Sequence, residues 1–140
     1  MSLRHQRLAR YRAARERTLS SISRRVFETL VSEALDELPA YVQERMENVA
    51  VLVQDWPSAA QLRGGDRDLL GLYEGINRVD RSAGYHLVTP DRITLFWRPI
   101  VEEVGDGDRE AVRLEIRKTI IHEVAHHFGI DDAELERLGG

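Results

Sequence analysis

Apolar residues at Ile22, Val26, Phe27, Leu30, Val31, Ala34, Leu35 and Leu38 follow helix spacing, which predicts about four turns with one wide apolar stripe. Pro39 stops that helix and begins a short second one, Pro39 to Glu47. From Asn48 to Trp56 the pattern changes to Val49, Val51, Leu52 and Val53, which predicts a buried strand closed by Pro57. Ser58 to Asp68, with Gly64 and Gly65, reads as a loop, and Leu69 to Glu74 as a short strand ended by Gly75. Asn77 to Asp91 is polar and reads as a loop or loosely held hairpin, the kind of stretch that often contributes to a binding site. In Arg92 to Arg98, Ile93, Leu95 and Trp97 alternate with Thr94 and Phe96, predicting a strand that Pro99 ends, as suits a sheet edge.

Asp108 is placed to cap a last, longer helix. Projected at about 100° per residue, Val112, Leu114, Ile116, Ile120, Ile121, Val124, Ala125 and Phe128 form one broad arc. Glu115, Thr119, His122 and His126 occupy the remaining face, with Glu123 at its border. His127 projects between Ile116 and Ile120, so it packs inside or hydrogen-bonds behind its neighbours. Glu115 lies about 10 Å along the axis from His122, too far to share a cation with it.

His122, Glu123 and His126 spell H-E-x-x-H, and with Gly129 and Asp132 the pattern becomes H-E-x-x-H-x-x-G-x-x-D. Histidines four residues apart on a helix point the same way and can reach one cation. Gly129 suits the left-handed conformation that ends a helix and swings the chain back, which brings Asp132 into range as a third ligand. Asp131, Glu134 and Glu136 stay open as third ligands if the turn differs. Three protein ligands with one open position is the catalytic form of a zinc site. Glu123 lies beside the ligands, where a carboxylate acts as general base on water. Two histidines and a carboxylate also suit iron or manganese.

The motif HEVAHHFGIDD, with LPAYVQERMENVAVLVQDWP, LLGLYEG and PDRITLFWRPI upstream, resembles the small bacterial zincin-like metallopeptidase family, the minimal zincins, from about Ser23 onward. The resemblance implies a single α+β domain with a small mixed sheet packed against helices and the metal site on a long C-terminal helix. It implies one zinc ion per chain on His122, His126 and Asp132, Glu123 as catalytic base, and a peptide or protein substrate. Small secreted neutral proteases share a similar pattern with Asp as third ligand. Metzincins carry His there and a Met-turn after it, whereas the methionines here are Met1 and Met46. By analogy with zincins, RITLFWR is the edge strand that takes up substrate, with a purely structural strand as the equal alternative. Tyr85, His86 and Arg98 are candidates for stabilising an oxyanion.

The 140 residues fit one domain, read as 21–140 with an Arg-rich extension, a frayed helix or disordered lead-in, over 1–20. The absence of cysteine excludes disulfides, thiolate metal sites and a thiol nucleophile. No apolar run reaches the roughly 20 residues of a membrane span, and no apolar segment follows the basic start, so a cytoplasmic protein is expected. Residues 1–20 carry six arginines against one acid, near +5, leaving fourteen basic and twenty-three acidic residues, near −9, in the rest. A basic tail suits nucleic acid, but docking on the acidic domain or simple solvation accounts for it equally, so nucleic acid ranks behind a peptide partner. Two other functions stay in view. One is a metal-dependent ribonuclease like the rRNA-maturation metalloproteins, whose H-G-x-x-H-x-x-G-x-D-H pattern has Gly where Glu123 stands. The other is a non-catalytic metal-binding or interaction module. Only eight residues follow Asp132, so a cleft is expected to come from the loops and strand upstream.

Overall fold

The computed structural model describes residues 22–63, 69–75, 90–105 and 108–138. Helix α1, Arg24–Asp36, begins where the Ser23 hydroxyl accepts the N–H of Val26, and it buries Phe27, Leu30, Val31 and Ala34, the predicted stripe. Pro39 then starts the short helix α2, Ala40–Arg45. Three strands follow: β1, Val49–Gln54; β2, Gly71–Glu74; and β3, Asp91–Phe96. They form a mixed sheet in the order β1-β3-β2, with β1 parallel and β2 antiparallel to β3. The sheet and six helices among the described residues make the expected α+β fold.

Several expectations change. Strand β1 is an outer strand of the three rather than a fully buried one. Val49, Val51 and Val53 pack on the core while Leu52, on the opposite face, is 47% exposed. Ser58 to Asp68 is not all loop, since Ala59–Leu62 forms a helical turn, α3. Ser58 and Gln61 build a reciprocal capping box there, a signature already present in the sequence as S-x-x-Q.

Strand β3 is the middle strand, paired on both sides, so RITLFWR cannot be an edge that receives a substrate. Its run Ile93, Thr94, Leu95, Phe96 is buried on both faces, as a covered central strand requires. Pro99 does not stop a strand at the sheet's edge. It sits in the first turn of helix α4, Trp97–Val104, where a missing N–H leaves no hydrogen bond unmade.

Helix α5, Arg109–His127, is capped by the Asp108 carboxylate, which accepts the N–H of Glu110 at 3.0 Å. It packs against α1 on one side and β2 on another, so its buried surface is wider than one arc. Thr119 is buried with Val112, Ile116, Ile120, Ile121, Val124 and Ala125, whereas Leu114 and Phe128, both expected inside, are about half exposed. The Thr119 hydroxyl is satisfied by the Glu115 carbonyl at 2.8 Å. No helix among the described residues is long and apolar enough to cross a membrane.

Candidate metal centre

Helix α5 ends in a Schellman motif. The N–H of Gly129 donates to the His126 carbonyl at 3.3 Å and that of Ile130 to the Ala125 carbonyl at 2.8 Å. Gly129 has φ +71°, the left-handed geometry that reverses the chain, and Ile130 is buried behind it. Asp131 then caps the last helix, α6 (Asp132–Arg137), by accepting the Glu134 N–H at 2.8 Å. Glu134 pairs with Arg137. Of the acidic residues that stood open as third ligand, these two have other partners and Asp132 turns to the histidines.

Imidazole nitrogens of His122 and His126 and a carboxylate oxygen of Asp132 all lie within 4.8 Å of one another. Ligand atoms about 2.1 Å from a tetrahedral ion stand roughly 3.4 Å apart, so the three donors fit an ion after a small closure. His122 is half-buried while His126 and Asp132 are exposed, so one side of the group faces solvent. Donor chemistry fits zinc as well, since imidazole nitrogen and carboxylate oxygen are its usual partners when no thiolate is present.

Glu123 is half-buried beside this group, and its Oε1 accepts the backbone N–H of Tyr73 on β2 at 3.1 Å. Tyr73 is held in turn by its hydroxyl, which donates to Asp91 Oδ2 at 2.9 Å, and by its ring, which stacks on His127 with centroids 3.8 Å apart and planes at 19°. Phe128 stands edge-on to His127 at 5.0 Å.

The sequence model of the zincin-like metallopeptidases matches residues 46–140. The chain belongs to this family. The match begins at Met46, later than the Ser23 start expected from the sequence, and so leaves α1 and α2 outside it. No curated protein matches the chain. His122, His126 and Asp132 are brought together here, and Glu123 follows His122 on the same helix.

Other candidates fare differently. His127 does not pack in the interior: its side chain is 36% exposed, lies flat on Tyr73, and has Nε2 3.9 Å from Asp91 Oδ2. Arg98 is buried in α4 with its guanidinium 4.0 Å over the Trp97 ring. It follows β3 at the end that pairs with Gly71. Tyr85 and His86 lie outside the described residues. Sequence reasoning missed Tyr73 and Asp91. Tyr73 is 50 residues from Glu123 in the chain, and nothing local in L-Y-E marks it.

Proposed function

We propose that this protein is a zinc-dependent peptidase that hydrolyses peptide bonds, with one zinc per chain held by His122 and His126 through imidazole nitrogen and by Asp132 through carboxylate oxygen. The observation that carries the reading is the close approach of those three donors beside a glutamate on the same helix. Family membership supports it, since a metallopeptidase takes a peptide or protein substrate. When bound, zinc supplies a Lewis acid for the scissile carbonyl and lowers the pKa of water. Glu123 accepts a proton from the attacking water and delivers it to the leaving amine. Residues 21–140 form the peptidase domain, residues 1–20 an extension to it, and the compartment is the cytoplasm. The ribonuclease reading is weaker because Glu123 stands where that pattern has glycine.

Protein purified without added metal, then offered zinc, tests the site. Wild type is expected to hold about one zinc per chain, with occupancy sharply reduced in His122→Ala and Asp132→Ala. Glu123→Gln is expected to keep its zinc and lose turnover of an unfolded-protein substrate by a factor on the order of 100 or more. Equal zinc content in all variants, or full activity in Glu123→Gln, would refute the assignment.

A further inference from the structure

Strand β2 and helix α5 run side by side with matching repeats. Two strand residues advance about 6.6 Å and four helix residues about 6.0 Å, so alternate positions of β2 meet successive turns of α5. Gly71 faces Thr119, Tyr73 faces Glu123 and His127, and Gly75 faces His127. Gly71 is what lets the two approach, because a Cβ there would sit 2.7 Å from Thr119 Cγ2.

The ladder explains which backbone groups point at the helix. Phe96 donates to the Leu70 carbonyl, so residues 70, 72 and 74 exchange hydrogen bonds with β3 and the N–H of Tyr73 turns outward. There it meets Glu123 Oε1. His127, one turn beyond Glu123 on the same face, stacks on the ring of the same tyrosine, and Asp91 takes its hydroxyl. Three contacts on one residue therefore come from the helix that carries the donor group and from the neighbouring strand.

We propose that Tyr73 is a positioning residue for the peptidase reaction: its backbone N–H orients the Glu123 carboxylate, and its side chain, pinned by Asp91 and His127, holds that N–H in place. The inference rests on the reading of Glu123 as the base. An unrestrained glutamate samples several rotamers, while a base must stay within hydrogen-bond reach of the proton it takes. Tyr73 and His127 do not touch the reacting atoms in this role, so their loss acts on kcat and leaves KM alone.

The test uses full-length, zinc-loaded protein and reads amide hydrogen exchange by NMR beside peptidase kinetics. The Tyr73 amide is expected to be protected in wild type and in Glu123→Gln, whose side-chain oxygen still accepts, and to exchange at least about tenfold faster in Glu123→Ala. Amides of Leu72 and Glu74, bonded to β3, should not change. Tyr73→Phe and His127→Ala should keep full zinc content, speed exchange at position 73 and lower kcat several-fold at constant KM, and His127→Phe, which retains a ring to stack, should recover both. Exchange at Tyr73 that is indifferent to Glu123→Ala, or a His127→Ala variant with unchanged kcat or a change confined to KM, overturns the positioning role while wild-type activity leaves the peptidase reading intact. A zinc-loaded wild type that cleaves no peptide overturns that reading, and the positioning role with it, whatever the exchange data show.

Discussion

Two glycines set the geometry of the site at the level of single residues. Gly129, at φ +71°, turns the chain so that Asp132 faces the histidines one turn back. Gly129→Ala places a Cβ in the left-handed region and should destabilise the fold by about 1–2 kcal/mol. Urea denaturation should show that loss, and a zinc titration should show weakened binding from the displaced carboxylate, with Gly129→Asn milder in both. Gly71 acts through space rather than through φ. In Gly71→Ala the new methyl meets the Cγ2 of a buried, hydrogen-bonded Thr119, and the overpacking should cost about 1–3 kcal/mol. The double variant Gly71→Ala/Thr119→Ser removes that methyl, keeps the hydroxyl, and should recover most of the denaturation midpoint.

Among the elements, α5 is where local rules were most legible. Its N-cap, its histidine pair and its terminal glycine were all readable, because each depends on contacts within four or five residues. Asp108→Ala should therefore cost about 1 kcal/mol in chemical denaturation. Zinc stoichiometry should stay unchanged, since about 21 Å of helix separates the cap from His122. Strand β3 and helix α4 were harder. The alternation in RITLFWR fitted an edge strand ended by proline, and only cover on both faces makes Ile93 to Phe96 a central strand followed by a helix. A run of adjacent apolar residues, Leu95, Phe96 and Trp97, was the available signal.

For the whole molecule, helix α1 lies outside the family match yet belongs to the one core. Phe27, Leu30, Val31 and Ala34 are buried with Ile116, Ile120 and Val124 of α5, and Arg113 pairs with Glu37 across the two helices. Phe27→Ala should cost about 3–5 kcal/mol, measured by thermal or urea unfolding, so a chain cut back to Met46 should not fold. Among the described residues the core begins at Ile22, whose carbonyl accepts the Trp97 Nε1–H at 3.2 Å. What the sequence alone determined is the helix, its caps, the donor spacing and the turn that returns Asp132, all products of short-range geometry. What the tertiary structure decided is strand order, the burial of Arg98 over the Trp97 ring, and the meeting of Tyr73 with Glu123 across 50 residues. Those depend on which faces of the sheet and of α5 are covered by segments remote in the chain, and no local pattern encodes that choice.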